Sequence, residues 1–167
     1  MPPRSSRAPK APVVSALDAG LRLLARRAHS RVELRRKLAR RGHGEEEIRG
    51  ALARLAELGY VDDAAFAAGH VRRRSASRGP LALAAELAAR GVDRRASSRA
   101  LAGFDHAAQV ASAARLAERL CGRSRPAGYG ELLDSVGAKL LRRGFSPGVA
   151  REACWAVWAG REHRPTA

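Results

Sequence analysis

The chain has 167 residues and a formal net charge of +16, and only 4% of its residues are aromatic. Alanine, leucine and arginine dominate, and runs of alternating Val, Ile and Thr are absent, so the composition excludes a β-sheet protein and predicts an all-α chain. The 32 basic residues against 16 acidic ones predict a polyanionic partner: nucleic acid first, an acidic protein surface second, and an anionic membrane a distant third.

The first segment, residues 1–13, is rich in Pro, Arg and Ser and is predicted to be a disordered basic tail. The segment is basic but contains no apolar core, so we do not interpret it as a secretory signal. No stretch of the chain approaches the length of apolar sequence that spans a bilayer, and we therefore expect no transmembrane helix. Because an anionic membrane ranks last among the polyanionic partners, we also expect no membrane partner.

Ordered structure is predicted to begin at Ser15, which fits a capping box because an aspartate follows three residues later. Ser30 begins another helix in the same way, with a glutamate three residues later. Gly42 ends that helix, because glycine accepts the left-handed conformation that a C-terminal cap requires. With a third helix, residues 14–60 form a predicted three-helix repeat. The apolar face of the first helix is expected to consist of Leu17, Leu21, Leu24 and Ala28.

The same pattern recurs twice, around three Arg-Gly pairs that lie 49 and 53 residues apart. A leucine stands three residues before each arginine, and an alanine stands ten residues after it. An Arg- and Gly-rich composition does not by itself place leucine and alanine in phase, so we interpret the chain as a tandem array of helical units. The pairs are Arg41-Gly42, Arg90-Gly91 and Arg143-Gly144, the leucines are Leu38, Leu87 and Leu140, and the alanines are Ala51, Ala100 and Ala153.

Two further repeats and a tail follow the first repeat. The middle helix of repeat three is expected near Gly130 to Arg143, after a loop at 121–128. The apolar positions of the middle helix of repeat two are expected to be Leu81, Leu83 and Leu87. The predicted boundaries are 61–104 for repeat two, 105–160 for repeat three and 161–167 for a frayed tail.

No motif in the sequence carries recognisable catalytic chemistry. The phosphate-binding GxxxxGK[ST] loop, GxGxxG, HExxH and GxSxG are all absent, and we find no cysteine or carboxylate at a ligand or catalytic spacing from the five histidines. Cys121 and Cys154 are expected to be free thiols in a reducing cytoplasm. The adjacent acids Asp62 and Asp63 are interpreted as helix-capping residues. We therefore expect no enzymatic activity, no catalytic residue, no metal site and no cofactor.

Basic residues recur along the array and are the candidate binding residues. On the second helix, Arg36 with Arg40 and Lys37 with Arg41 are like-charged pairs four residues apart, and each pair destabilises an isolated helix slightly. An external anion would offset this repulsion, whether DNA phosphates or an acidic protein groove; the alternative is a solvated basic face. The sparse aromatic residues argue against base stacking as the main mode. The candidates are Arg36, Lys37, Arg40, Arg41, Arg72, Arg73, Arg74, Arg94, Arg95, Lys139, Arg142 and Arg143.

Several short motifs, taken in order, resemble the signature of the bacterial RecX regulatory proteins. The central motifs are Leu58-Gly59-Tyr60-Val61-Asp62-Asp63, Phe66-Ala67, Arg73 to Gly79, Glu86-Leu87 and Arg90-Gly91-Val92. The flanking motifs are Ser30-x-x-Glu33-Leu34-x-x-Lys37-Leu38 and Leu140-x-x-Arg143-Gly144-Phe145-Ser146. The resemblance covers roughly residues 15–158, and the order of the motifs together with the threefold repeat makes it fairly specific.

The resemblance implies an elongated, curved stack of three three-helix repeats. It also implies a cytoplasmic protein that binds the RecA filament on single- or double-stranded DNA, inhibits the recombinase, and so regulates recombinational repair and the SOS response. We expect a monomer. In this interpretation the candidate basic residues contact acidic residues of the filament and DNA phosphates. The junction between repeats one and two would be fixed by Tyr60, Asp62, Asp63 and Phe66.

Two alternatives from other classes stay open. A general nucleic-acid-binding protein without a dedicated protein partner would act equally on DNA in the absence of a recombinase. A nuclease accessory protein or an unrecognised enzyme ranks last, because the sequence contains no acidic or nucleophilic constellation.

Overall fold

The computed structural model describes residues 14–122 and 126–162, and the regular elements in that part of the chain are all helical. The all-α class predicted from composition is therefore confirmed. The predicted tail at 1–13 and most of the predicted tail at 161–167 lie outside the described residues, as do residues 123–125 of the predicted loop. The repeat boundaries stay a prediction.

The helices follow one another in groups along the chain. The first group is α1 (Ala16–Leu24), α2 (Arg31–Ala39) and α3 (Glu45–Glu57). The second group is α4 (Asp63–Arg74), α5 (Pro80–Ala89) and α6 (Arg94–Ala102). The third group is α7 (His106–Cys121), α8 (Tyr129–Leu132), a π-helical segment (Leu133–Gly137), α9 (Ala138–Arg142) and α10 (Pro147–Glu162). The described residues form two compact units: unit 1 combines those within Met1–Phe66 with Arg90–Val92, and unit 2 combines Ala67–Ala89 with those within Asp93–Ala167.

Side-chain caps begin most of these helices where the sequence predicts them. The hydroxyl oxygen of Ser15 accepts a hydrogen bond from the Asp18 N–H at 3.1 Å, and Ser30 accepts from the Glu33 N–H at 3.1 Å. The Asp93 carboxylate accepts from the Ala96 N–H at 2.9 Å and caps α6. Each cap satisfies a backbone donor that has no partner within the helix, which stabilises the helix by about 1 kcal/mol.

In the core of unit 1, α1 contributes three small residues and a single leucine, and the other large side chains come mainly from α2 and α3. Gly20 lies against α3 so closely that a Cβ atom at this position would be 2.8 Å from Leu55 Cδ1. The predicted face was therefore wrong in detail: Ala16, Ala19, Gly20 and Leu23 are buried, Leu17, Leu21 and Leu24 are half-buried around that core, and Ala28 is exposed. Close helix packing explains the shift, because the large side chain at this contact comes from α3.

In unit 2, α5 buries one side of its surface. Leu83 and Leu87 lie four residues apart, share that side and are fully buried. The prediction that Leu81 also packs inward was wrong, because its side chain is 68% exposed. Two residues before Leu83 correspond to about 200° around a helix, so Leu81 points away from the core.

The predicted helix near Gly130 to Arg143 is confirmed, and it contains a π-helical segment that the sequence did not indicate. The π-helical segment separates α8 from α9. Within it, the Ser135 hydroxyl donates to the Glu131 carbonyl oxygen at 2.8 Å, and such bonds locally perturb a helix. Gly137 ends the segment, where a Cβ atom would lie 2.9 Å from Leu133 Cδ1.

Candidate functional site

A basic depression on the surface of unit 2 brings together four cationic side chains. The depression has a volume of about 320 Å³ and is lined by Arg78, Leu120, Lys139, Arg142 and Arg143. Three of the four cations are among the candidates predicted from the sequence, and Arg78 is an addition. We refer to this cavity below as the basic depression.

The two sides of the basic depression come from distant parts of the sequence. Lys139, Arg142 and Arg143 lie three and four residues apart, so they share one side of α9 and the turn that follows it. Arg78 belongs to the connection between α4 and α5, and this connection is held against the turn by main-chain hydrogen bonds. The Gly79 N–H donates to the Arg143 carbonyl oxygen at 2.8 Å.

Glycine is required at this contact because the two backbones touch. A Cβ atom at Gly79 would lie 2.3 Å from the carbonyl oxygen of Gly144, and one at Gly144 would lie 2.3 Å from the Ala82 amide nitrogen. Gly144 also has a φ of +86°, which L-residues with side chains rarely adopt. The contact therefore fixes Arg78 beside Arg143.

The charge of the basic depression is largely uncompensated. No aspartate or glutamate is among the described residues that line it. Within the described part of the chain, Lys139, Arg142 and Arg143 form no ion pair with a carboxylate, whereas Arg78 Nε lies 3.4 Å from Glu86 Oε1. Four cations around one cavity repel one another, and an anion in the cavity would relieve that repulsion.

Glu86 is the centre of a cluster that gives Arg74 a structural role. Its carboxylate accepts hydrogen bonds from Arg74 at 3.3 and 3.4 Å and lies 2.8 Å from Nε2 of the buried His70. Burial alone would raise the pKa of Glu86, but the hydrogen bonds from Arg74 and His70 and the charge of Arg74 outweigh burial and lower that pKa. Arg74 therefore neutralises a half-buried carboxylate, which separates it from its neighbours Arg72 and Arg73.

The other predicted cations lie apart from the basic depression or on unit 1. Arg72 and Arg73 on α4, and Arg94 and Arg95 on α6, are exposed, and none of these four lines the basic depression. On unit 1, the α2 and post-α2 candidates are exposed except Lys37, which is half-buried; they are Arg36, Lys37, Arg40 and Arg41.

The predicted junction residues occupy the start of α4. The Asp62 carboxylate accepts from the Ala64 and Ala65 N–H groups at 2.8 and 3.0 Å, which caps α4. The Asp63 carboxylate accepts from the Arg31 N–H at 2.8 Å. Phe66 is buried, whereas Tyr60 is 57% exposed. The junction role of these four residues stays a prediction.

Three buried histidines are features that the sequence interpretation missed. His29 and His43 each pair with a glutamate four residues later, at 3.3 and 3.1 Å, and His70 pairs with Glu86. The spacing of four was visible in the sequence, but the burial of the histidines was not. Arg78 was missed because its position depends on the contact of Gly79 with the turn at Arg143. The sequence did offer one signal: Gly79 precedes Arg90 by as many residues as Ser30 precedes Arg41, so Gly79 and Ser30 occupy equivalent positions in the repeat.

The described residues offer neither a metal site nor a membrane span. Within 14–122 and 126–162, no three His, Cys, Asp or Glu side chains come together in a way that could hold a metal ion. In the same part of the chain, no helix combines the length and apolarity needed to cross a membrane. Cys121 and Cys154 are buried, and burial raises the pKa of the Cys154 thiol.

The fold and the basic depression together define a helical-repeat protein with a cationic surface. The family models that match are RecX, first three-helix domain, over residues 16–55, and RecX, second three-helix domain, over residues 62–101. These ranges cover the first and second groups of helices, so the tandem three-helix arrangement is confirmed there.

Sequence relatives and solved structures agree with these matches. "Regulatory protein RecX" of Mycobacterium ulcerans (strain Agy99) is 39% identical over 147 residues, which cover 86% of this chain and 85% of the relative. The protein of the same name in Xanthomonas axonopodis pv. citri (strain 306) is 37% identical over 138 residues, covering 82% and 84%. The crystal structure of RecX from Lactobacillus salivarius shares the fold, with a TM-score of 0.76, 24% identity, and coverage of 85% and 94%. The chain belongs to the RecX family of regulatory proteins.

Proposed function

We propose that this chain is a non-enzymatic cytoplasmic regulator that binds the RecA filament on DNA and inhibits the recombinase. By this activity it would modulate recombinational repair and the SOS response. The observation that carries the proposal is the basic depression of a RecX-family chain, where four cations surround a cavity that no described carboxylate lines. The chain would act as a monomer.

The basic depression fits a phosphate group of the DNA backbone. A guanidinium offers paired N–H donors in a fixed plane, and phosphate oxygens accept them in a bidentate geometry. Arg142 and Arg143 supply two guanidinium groups on one side, and Arg78 supplies a third from the α4–α5 connection. Contacts of these cations with phosphates would be independent of sequence and sensitive to salt.

A second candidate function is general nucleic-acid binding without a dedicated protein partner. The observation that favours it is again the basic depression, because phosphate recognition alone does not require a recombinase. The two functions differ in what they predict for a filament: a dedicated regulator acts on the filament, whereas a general binder competes for free DNA.

The test is single-stranded-DNA-dependent ATP hydrolysis by the cognate RecA while the protein is titrated at moderate salt. A regulator that acts on the filament inhibits ATP hydrolysis at protein concentrations far below the concentration of its binding sites on the DNA. Added DNA does not relieve that inhibition. Inhibition that appears only when the DNA is saturated, and that extra DNA relieves, would favour the general binder and contradict the proposal.

A further inference from the structure

A second cavity on unit 2 differs in chemistry from the basic depression. It lies between α4 and α7, has a volume of about 390 Å³, and is closed at one side by the end of α6. We call it the α4–α7 groove. The lining residues are Ala68, Val71, Arg72, Ser75, Ala100, Gly103, Phe104, Ala108, Ala111, Ser112 and Arg115.

The floor of the α4–α7 groove is mainly apolar, and most residues around it have small side chains. Val71 and Phe104 are 7% and 6% exposed and form the floor with the buried Ser112. The positions around the floor are largely occupied by alanine and glycine, so no large side chain stands between the floor and solvent. Small residues on two neighbouring helices allow a third chain segment to approach closely.

The rim of the α4–α7 groove is positively charged. Arg72 on α4 and Arg115 on α7 line it, and the groove contains no described carboxylate. Among the described residues, neither guanidinium pairs with an aspartate or a glutamate; Arg115 Nη2 donates to the Ser112 hydroxyl oxygen at 3.4 Å. The two arginines therefore retain their capacity for a carboxylate partner.

We propose that the α4–α7 groove is the docking site for an acidic amphipathic segment of the protein component of the filament. An apolar side chain of that segment would cover Val71 and Phe104, and flanking carboxylates would pair with Arg72 and Arg115. The inference rests on the proposed function and assigns its two kinds of contact to different sites. DNA phosphates would bind at the basic depression, and the filament protein would bind at the α4–α7 groove.

The apolar floor favours a protein segment over nucleic acid. A phosphodiester placed over Val71 and Phe104 would lose hydration, and the one hydroxyl group of the floor, that of Ser112, is buried. An amphipathic segment buries apolar area there and keeps its charges at the rim, which is the usual arrangement of a protein interface. Phosphate contacts require cations that converge on one point, which the basic depression supplies.

The experiment fills the groove and measures two kinds of binding. Ala111→Trp places a large side chain in the groove from an exposed helical position, and Ala88→Trp adds the same side chain at an exposed position on α5 that does not line the groove. Each variant is titrated against a labelled single-stranded oligonucleotide and against the RecA filament on the same oligonucleotide. Circular dichroism verifies that both variants remain helical.

We expect Ala111→Trp to weaken binding to the filament at least tenfold and to leave binding to the free oligonucleotide within twofold of the wild type. Ala88→Trp should resemble the wild type in both assays. The charge-reversal pair Arg72→Glu with Arg115→Glu should reproduce the loss of filament binding, because it repels an acidic segment without filling the groove.

Three outcomes would overturn the inference in distinguishable ways. A wild-type chain that binds filament no better than free oligonucleotide refutes the proposed function and this partner with it. A wild-type preference for filament that Ala111→Trp retains refutes the groove alone. An equal loss of binding to filament and to free oligonucleotide in Ala111→Trp would assign the groove to nucleic acid instead.

Discussion

The Ser30 hydroxyl donates a hydrogen bond to the Arg90 carbonyl oxygen at 2.5 Å, across 60 residues of sequence. The same hydroxyl oxygen accepts from the Glu33 N–H and caps α2. Gly91 completes the contact, because a Cβ atom there would lie 2.5 Å from Val32 Cβ. In unit 2, Gly79 and Arg143 make the corresponding contact. An Arg-Gly turn docked on the start of an earlier helix is therefore a recurring device of this chain.

Replacement of Ser30 should destabilise the protein more than replacement of an ordinary cap. Ser30→Ala removes the α2 cap and the bond to the Arg90 carbonyl, and we expect the free energy of unfolding to fall by about 2 kcal/mol. Ser15→Ala, which removes a cap without a distant contact, should cost about 1 kcal/mol. Urea denaturation measures both, and equal losses would contradict a structural role for the Ser30–Arg90 bond.

Two glycines with the same backbone conformation should respond differently to alanine. Gly42 and Gly144 have φ values of +88° and +86°, so alanine is strained at either position by about 1–2 kcal/mol. A Cβ atom at Gly42 meets nothing within 4 Å, whereas one at Gly144 meets the backbone of Ala82. Gly144→Ala should therefore lose about 1–3 kcal/mol more than Gly42→Ala in thermal or urea unfolding. Similar losses for the two variants would show that the turn at Gly144 is not tightly docked.

Removal of two cations from the basic depression should weaken DNA binding and flatten its salt dependence. For Lys139→Ala with Arg142→Ala, we expect the slope of log affinity against log salt for a single-stranded oligonucleotide to fall by about 1.4, because each lost phosphate contact contributes about 0.7. Fluorescence anisotropy at several salt concentrations measures this slope. The control is Arg49→Ala, which removes an exposed arginine that pairs with Glu46. An unchanged slope in the double variant would exclude the basic depression as a phosphate site.

Alanine substitutions of Arg74 and Arg72 should have different effects, the first on stability and the second on binding to the filament. Arg74→Ala removes a partly exposed partner of Glu86, so we expect a loss of about 1 kcal/mol in the free energy of unfolding. Arg72→Ala should leave stability unchanged and weaken binding to the filament. A combined change of Arg72, Arg73 and Arg74 to alanine would mix the two effects, so the single variants are the sharper test by urea denaturation and filament titration. Equal stability of the two variants would contradict the structural role of Arg74.

Acid should destabilise the protein through Glu33. Burial alone would raise the pKa of Glu33, but bonds from Arg27 and His29 and the charge of Arg90 lower it below its ordinary value of 4.5. The stabilisation is therefore complete above about pH 4.5 and is lost as the pH falls toward the lower folded-state pKa. Burial lowers the pKa of His29, so protonation of this residue adds a loss that begins below about pH 6.5.

The measurement is the free energy of unfolding between about pH 7 and pH 3, and it should decrease continuously across that range. Glu33→Gln should be less stable at neutral pH and should show a shallower decrease at acidic pH. The control Glu57→Gln changes a carboxylate that is exposed and paired with Arg54. A Glu33→Gln curve parallel to the wild type throughout would exclude this carboxylate as a source of the pH dependence.

Local rules were sufficient to predict much of the fold from the sequence. Caps such as Ser15 and Ser30 act within one helical turn, so their spacing alone identifies them. The phased leucines were visible because the sequence pattern repeats, and Leu38, Leu87 and Leu140 are all fully buried. Helix type and helix starts follow from interactions between near neighbours, which a sequence displays directly.

The parts that sequence could not supply depend on distant contacts. The face of α1 with Ala16, Ala19, Gly20 and Leu23 packs inward because Leu55 of α3 lies against Gly20, whereas periodicity alone favours the face with Leu17, Leu21 and Leu24. Arg78 joins the basic depression because Gly79 docks on a turn more than 60 residues away. The α4–α7 groove is likewise formed by helices that are not adjacent in sequence.

The docked Arg-Gly turns use the arginine for two purposes through different atoms. The carbonyl oxygens of Arg90 and Arg143 hold the turns in place, while the Arg90 guanidinium pairs with Glu33 at 2.8 Å and the Arg143 side chain lines the basic depression. Any amino acid at the arginine position supplies the same main-chain carbonyl oxygen, so a mutation can change the side chain while the hydrogen bond that holds the turn is kept. Ligand preference at such a turn is thus free to diverge between homologues while the repeat architecture is inherited unchanged.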